Sequence, residues 1–368
     1  MEKRGYWVGF NLVRGIGAVR MQQLIDYFGD VERAWFGSFQ AYRQAGLSEK
    51  LSERIIEIRN QFNLDKYIDT LARQNIKILI KDDPDYPRYL REIQQPPPVI
   101  YVRGNFVVED DWAVAIVGTR RVTHYGQQIA EQFAKTLAEH HITVVSGLAR
   151  GVDGIAHQAA INAGGRSIAV LGSGVDKIYP PEHKLLAQKM MDHGAIISDY
   201  PPGTPPESSN FPPRNRIISG LSRAVIVIEA GIKSGALITA DFAVDQGREV
   251  YAVPGNINSI QSKGTNQLIQ NGARPLTDIR DLLTDLQVEL IHEHQEFRKQ
   301  SPSGKTESVL YSVLNDQPIH VDEIIQKAAL SVSEVTAQLT VMELKGMVRH
   351  VGGMKYIKIS EAGEDYQT

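Results

Sequence analysis

Between residues 113 and 253 short, predominantly apolar runs alternate with amphipathic stretches, and few architectures accommodate that pattern. The runs are Ala113-Val-Ala-Ile-Val117, Ile142-Thr-Val-Val145, Ser167-Ile-Ala-Val-Leu171, Ala195-Ile-Ile-Ser198, Ala224-Val-Ile-Val-Ile228 and Val250-Tyr-Ala-Val253. Helical patterns lie between them over 127–140, 152–163, 183–192, 216–221 and 236–246. A strand that is apolar on both faces must be covered on both faces, and strands separated by helices pair in parallel. The expectation is an α/β domain, a Rossmann-like doubly wound parallel sheet.

The flanks read differently. Residues 1–70 have apolar positions at helical spacing, as in Ala18-Val-Arg-Met-Gln-Gln-Leu-Ile-Asp-Tyr-Phe28, and predict a small helical module of the helix-hairpin-helix or SAM-like kind. Gly15-Ile-Gly17 before that helix has two readings: a turn that lets backbone N–H groups approach a phosphate, or a tight turn between packed helices. Residues 76–80 and 99–102 read as strands around the stiff Pro96-Pro-Pro98, an extension packed on the sheet domain, which is placed at 76–285. A charged stretch broken by Ser301-Pro-Ser-Gly304 makes 286–306 a linker. Three helices and a hairpin turning at Gly352-Gly353 make 307–368 a winged helix-turn-helix.

Composition narrows the function classes. With 368 residues, 42% hydrophobic and 23% charged, the chain is that of a globular protein with more than one domain. It has no cysteine, which removes disulfides, thiolate metal sites and cysteine nucleophiles. No export signal is visible, and no apolar stretch approaches the ~20 residues of a membrane helix, so a cytoplasmic protein without membrane association is expected. The net charge of −3 confines any phosphate-binding function to a local basic pocket.

In an open parallel sheet ligands bind beyond the carboxyl ends of the strands. The loops there are Gly118-Thr119-Arg120-Arg121, Gly147-Leu-Ala-Arg150-Gly151, Gly172-Ser-Gly174 with Lys177 and Tyr179, Phe211-Pro-Pro-Arg214-Asn215-Arg216, and Gly231-Ile-Lys233-Ser234-Gly235. Glycines admit a close backbone approach and arginines offer forked donors to phosphate oxygens, so the loops describe a phosphate-binding rim. Arg216 has a second reading, a structural bridge to Asp199 or Glu229.

Catalytic signatures are weak. Gly304-Lys-Thr306 lacks the earlier glycine and preceding strand of a P-loop. Asp153 and His157 share a helix face, but without a third ligand at fitting spacing they read as capping or packing residues. No metal, cofactor or catalytic residue is expected. A nucleotide-binding or nucleotide-hydrolysing enzyme on the same sheet is the rival reading. The phosphoribohydrolases that resemble lysine decarboxylases carry a catalytic glutamate in a glycine-rich loop, whereas Gly231–Ala240 holds no carboxylate.

Several strings together resemble one family: Val117-Gly-Thr-Arg120 with Tyr125-Gly126, Ser146-Gly-Leu-Ala-Arg-Gly-Val-Asp-Gly-Ile-Ala-His157, Tyr179-Pro180, Phe211-Pro with Arg214-Asn-Arg-Ile-Ile218, Ser234-Gly-Ala-Leu-Ile-Thr-Ala240, Val253-Pro-Gly255, and Leu268-Ile with Gly272-Ala273. They resemble the DNA processing protein A (DprA/Smf) family, in order, over residues 76–280. The sequence departs from the family at Asp199, where glutamate is usual, and at His183, where asparagine is common. The resemblance implies a dimeric, non-enzymatic protein of natural transformation. Such a protein binds single-stranded DNA, protects it, displaces single-strand binding protein and loads a RecA-type recombinase. It also implies that Arg120 contacts DNA phosphate, with Lys177, Arg214, Asn215 and Lys233 in the same pocket. Tyr179 could stack a base for ~1–3 kcal/mol. The full expected DNA-binding set is Gly118, Thr119, Arg120, Arg121, Lys177, Tyr179, Arg214, Asn215, Arg216, Lys233, Ser234 and Gly235. Leu268-Ile269 and a helix over 279–290 are candidate parts of a dimer interface.

A duplex-reading winged helix should carry cations on its third helix. Residues 301–368 hold six Lys or Arg against nine Asp or Glu, and the presumed recognition helix, 331–347, has Glu334, Glu343 and a single Lys345. The domain is expected to contact protein, or to orient DNA through Arg349, Lys355 and Lys358, rather than to read duplex sequence.

Overall fold

The computed structural model describes residues 3–286, 305–315, 317–328, 330–344 and 348–358. Contacts divide the chain into two compact units, Met1–Ile279 and Arg280–Thr368. Among the described residues no helix is long and apolar enough to cross a membrane.

The first unit is organised by a nine-stranded sheet: β1 (Lys77–Ile80), β2 (Val99–Gly104), β3 (Ala113–Val117), β4 (Thr143–Ser146), β5 (Ser167–Val170), β6 (Gly194–Ser198), β7 (Ala224–Val227), β8 (Glu249–Ala252) and β9 (Arg274–Pro275). Their order is β1-β2-β6-β5-β4-β3-β7-β8-β9. From β6 to β9 every pairing is parallel, as the buried runs require. The sheet is mixed, not wholly parallel. β2 joins β6 antiparallel (Tyr101 opposite Ser198) and β1 joins β2 antiparallel, so the expected extension completes one edge of the sheet itself.

Each strand serves two cores, because successive side chains point to opposite faces. Val99 and Tyr101 face one core, and Ile100 and Val102 the other. The second core receives Ile217, Ile218 and Leu221 from α11 (Phe211–Gly220) and Ala236, Ala240 and Ala243 from α12 (Gly235–Asp245). The first is shared with the N-terminal helices α1 (Lys3–Leu12), α2 (Ala18–Phe28), α3 (Val31–Trp35), α4 (Phe39–Gln44), α5 (Glu49–Gln61) and α6 (Leu64–Arg73). Residues 1–70 therefore pack as part of the sheet unit. Tyr101 donates its hydroxyl to Asn11 Oδ1 (2.9 Å), and Asn11 donates to the Asp199 carbonyl (3.2 Å). Gly15–Gly17 is the turn between α1 and α2, with Ile16 buried and the Gly15 carbonyl accepting from Arg20 (2.5 Å).

The short α7 (Arg88–Arg91) lies between β1 and β2, helices α8 (His124–Glu139), α9 (Val152–Asn162) and α10 (Lys184–Asp192) make the remaining crossovers, and α13 (Lys263–Gln270) follows β8. Of the residues expected at a dimer interface, Leu268 packs against the second core, and Leu282 and Leu283 in α14 (Ile279–Asp285) are buried within the single chain. The remainder of the helix expected to 290, and nearly all of the linker, lie outside the described residues.

The second unit has α15 (Lys305–Val313), α16 (Val321–Ala328) and α17 (Val332–Leu344). A three-stranded sheet joins β10 (Ile319–His320) to the wing strands β11 (Val348–His350) and β12 (Lys355–Lys358). Leu310, Ile324, Val335, Leu339 and Met342 form its core. Ser331 and Glu334 cap α17 reciprocally, each side chain accepting from the other's backbone N–H (3.1 and 3.3 Å). This is the expected winged helix. The described part of α17 carries Glu334 and Glu343 and no cation. Of the wing cations, Lys358 is held 3.9 Å from the centre of the Tyr311 ring.

Candidate nucleic-acid interface

The chain runs from β3 outward to β6 and then returns to β7 on the other side of β3. A sheet that reverses its winding opens a crevice at the carboxyl ends of the two strands flanking the reversal. A cleft of about 1140 Å³ lies there. It is floored by Gly118 and Thr119 after β3, bounded by Ala149 after β4 and Tyr179 after β5, and continued by Gly231–Gly235 after β7 and Ile260 and Lys263 after β8. β5, β4, β3, β7 and β8 are consecutive, so at ~4.8 Å between strands the cleft's edge is about 19 Å long.

Its charge comes from Arg120, Arg121, Lys233 and Lys263, which are exposed and form no ion pair with a carboxylate among the described residues. An unpaired cation in a concave, partly apolar site keeps its field for an incoming anion, whereas a paired one has spent it locally. Arg150 is paired with Glu182 (2.5 Å). Lys177 lies 3.7 Å from Asp176 and outside the cleft lining, contrary to its expected place in the pocket.

The arginines of α11 also depart from expectation. The helix begins at Phe211, five residues before the expected start, because Pro212 and Pro213 occupy first-turn positions where no intrahelical N–H is needed. At ~100° per residue, positions 214 and 216 point to nearly opposite sides of a helix and cannot both face one rim. Arg214 faces inward and is buried, donating Nη1 to the carbonyls of Gly147 (2.7 Å) and Val170. A Cβ at residue 147 would overlap that guanidinium, so the close approach requires glycine. Burial lowers the Arg214 pKa to about 10, and the neighbouring Asp153 opposes the fall, so the side chain is cationic at neutral pH. Arg214 therefore lines the cleft as a committed structural cation. Arg216 turns away into an ion pair with Asp199 (2.8 Å) and a hydrogen bond to the Gln95 carbonyl. It lies outside the lining and forms the bridge that its second reading described.

Other expected residues set the walls. Thr119 donates its N–H to the Glu229 carbonyl (2.7 Å) and its hydroxyl accepts from the Arg121 N–H (3.2 Å). Asn215 donates to the Gly235 carbonyl (3.1 Å), and Ser234 caps α12. Gly151 takes φ +76° where the chain crowds the Thr119 carbonyl. Tyr179 lies 5.9 Å, centroid to centroid, from Phe211, and the Arg120 guanidinium sits 5.5 Å from the Phe211 ring centre. An aromatic pair with a guanidinium beside it can stack bases while holding a phosphate. At the rim Arg14, in the connection between α1 and α2, pairs with Glu207 (2.7 Å), between lining residues Pro206 and Ser208.

The DNA-binding set expected from the sequence leaves out Phe211, Lys263 and the isoleucines 232, 238 and 260, all of which line the cleft. Lys263 was within reach, since the rule that singled out the loops after the earlier strands applies equally to the loop after β8.

Asp153 and His157 are packing groups. Asp153 Oδ2 accepts from the N–H groups of Gly147 (3.2 Å) and Ala149 (3.3 Å); His157 Nε2 accepts from Leu148 N–H (3.3 Å), and Nδ1 lies 2.7 Å from Ser167 Oγ. Burial, reinforced by His183 and Arg214, lowers the His157 pKa to about 3. The unfolded chain binds this proton near pH 6.5 and the folded chain does not. The histidine's contribution to stability is thus complete above pH 6.5 and is lost as pH falls toward 3, by about 1.4 kcal/mol per pH unit. His157→Gln should flatten the decline of the urea midpoint between pH 6.5 and 4.5 relative to wild type. Parallel declines in the two proteins would show that His157 does not titrate in this way.

Residues 77–287 match the family model described as DNA recombination-mediator protein A. The chain belongs to this family. A second model, the DprA winged helix domain, matches residues 296–354. Protein Smf of Synechocystis is 36% identical over 96% of this chain and 98% of its own length. DNA processing protein DprA of Bacillus subtilis is 40% identical over 61% of this chain and 75% of its own. The structure of DNA processing protein A from Streptococcus pneumoniae superposes with a TM-score of 0.67 at 32% identity, covering 76% of this chain and 97% of that one. The Helicobacter pylori family member, whose structure is described for its single-stranded DNA binding mode, gives a TM-score of 0.53 at 30% identity over 58% of this chain and 96% of that one.

Proposed function

We propose that the cleft binds single-stranded DNA without sequence preference, and that the protein shields the strand and passes it to a RecA-type recombinase during transformation or recombination without itself catalysing a reaction. The observation that carries this reading is the row of four unpaired cations beside the Tyr179–Phe211 pair at the sheet's switch point. Cations spaced along a strand track and a ring pair for stacking suit a polymer of phosphates and bases. At the 3.4 Å rise of one DNA strand, the 19 Å edge takes roughly five to six stacked nucleotides, so affinity should climb with oligonucleotide length up to that size. The Helicobacter pylori relative supports the choice of ligand. The absence of a carboxylate in Gly231–Ala240 and the occupied hydrogen bonds of Asp153 and His157 support a binding role over a hydrolytic one.

The loading step is tested by order of addition. With oligo-dT first coated by single-strand binding protein, a RecA-type recombinase should form filaments, read by its DNA-dependent ATPase, faster when this protein is present. An unchanged lag would remove loading from the account while leaving strand binding in place. The same preparation, by sedimentation, should be a dimer.

The winged-helix unit enters as a protein-contacting or DNA-orienting element, because α17 has no cation to offer a major groove. A chain ending at residue 286 should therefore keep its affinity for oligo-dT within about threefold of full length, since the phosphate contacts stay. A larger loss would assign part of the strand's path to the second unit.

A further inference from the structure

The cleft is cationic, yet three of its lining residues are solvent-exposed isoleucines: Ile232 at 60% exposure, Ile238 at 36% and Ile260 at 70%. Isolated exposed aliphatic residues need no explanation, but a cluster in one concave site marks a surface that something covers. These three stand on neighbouring segments. Ile232 follows β7, Ile238 lies in the first turns of α12, and Ile260 closes the loop after β8. The two loops are fixed to each other and to the sheet: Gly264 N–H donates to the Ala230 carbonyl (2.7 Å), Asn266 exchanges hydrogen bonds with Gly255 in both directions (3.0 and 3.1 Å), and Tyr125 donates to the Pro254 carbonyl (3.0 Å). The isoleucines are therefore held in place before any ligand arrives.

Lysines accompany them. Lys233 directly follows Ile232, Lys263 comes three residues after Ile260, and neither ammonium group forms an ion pair among the described residues. Apolar side chains interleaved with free cations match an occupant that alternates anionic and apolar groups at short intervals, which is the character of a single DNA strand with its bases turned toward the protein. A protein partner covering the same wall would need carboxylates at matching spacing between apolar side chains.

Resting on the reading of the cleft as a single-strand site, we propose that Ile232, Ile238 and Ile260 form an apolar wall against which the bases of the bound strand pack between phosphates held by Lys233 and Lys263. The strand would have two base-contacting stations: the Tyr179–Phe211 ring pair toward β5, and this aliphatic wall toward β8. Apolar side chains of this kind serve elsewhere as wedges between base steps. The wall is neutral, so its contribution is insensitive to salt, unlike that of the lysines beside it.

The test compares wild type with the double variant Ile232→Ser, Ile260→Ser in the full-length chain, by anisotropy on labelled oligo-dT and on a strand of the same length with an abasic backbone. Both isoleucines are exposed, so their replacement leaves the core intact. The double variant should bind oligo-dT about tenfold more weakly, equivalent to about 1.4 kcal/mol, with an unchanged salt slope. It should bind the abasic strand as wild type does. Equal affinity of the two proteins for oligo-dT, or an equal loss on both strands, would overturn the wall while leaving the cleft's function standing. Failure of wild type itself to bind oligo-dT would remove the cleft reading and the wall together.

Discussion

Replacing Arg214 with alanine is expected to destabilise the sheet unit by about 3–5 kcal/mol, the order expected when two buried carbonyls lose a charged donor and a buried carboxylate loses a nearby cation. The guanidinium donates to the carbonyls that end β4 and β5, Gly147 and Val170, and faces the buried carboxylate of Asp153. Alanine leaves two carbonyls without that donor, a carboxylate without its cation, and a cavity where the side chain lay. The loss should appear as a lower urea midpoint at pH 7. Lysine in its place retains the charge but not the planar guanidinium that reaches both carbonyls through Nη1, and should recover only part of the stability. A variant as stable as wild type would show that the buried network contributes nothing and that Arg214 is held for the ligand alone.

The second large effect concerns binding without stability. Arg120→Ala should weaken the affinity for oligo-dT by about tenfold to a hundredfold, the range of a charge-assisted hydrogen bond of about 1.5–3 kcal/mol. Its position beside the Phe211 ring places it where a phosphate and a stacked base would both be in reach. Adding Lys263→Ala should weaken binding further, and each removed cation should take about 0.7 from the slope of log affinity against log salt. Both side chains are exposed and unpaired, so the thermal midpoint should stay within a degree or two of wild type, as surface substitutions usually leave it. By contrast Arg216→Ala, which breaks the Asp199 bridge, should lower stability more than affinity.

The contrast between these arginines shows where the sequence was legible. The strands from β3 to β8 could be read almost residue by residue, because burial on both faces leaves an apolar run with no other use. The loops at their carboxyl ends followed from the topology, and Arg120, Arg121 and Lys233 came with them. What the sequence concealed was the start of α11. Two prolines look like a break in the chain, yet in a first helical turn they are permitted, and the hidden turn carries Arg214 inward and Arg216 toward Asp199. Five residues of helix separated the structural arginines from those exposed in the cleft.

The edge strands and the N-terminal helices were harder for another reason. Alternating faces in β1 and β2 fit any two-sided setting, and nothing local in Asn11 or Tyr101 announces a partner ninety residues away. The expected boundary near residue 70 disappears because one core is built from both sides of it. Ile232 and Ile260 lie on loops of ordinary composition, with Ile238 and Lys263 at the starts of the helices that follow, and they come together only once β7 and β8 extend the sheet beyond β3.

The most direct test of the central claim is the affinity of the full-length protein for labelled oligo-dT measured across a salt series, with a single nucleotide as competitor. Four free cations on a single strand predict a log–log slope of about −3, tight binding at low salt, and no displacement by the mononucleotide. Weak, salt-insensitive binding to the strand with displacement by one nucleotide would contradict the account and identify the cleft as a nucleotide pocket.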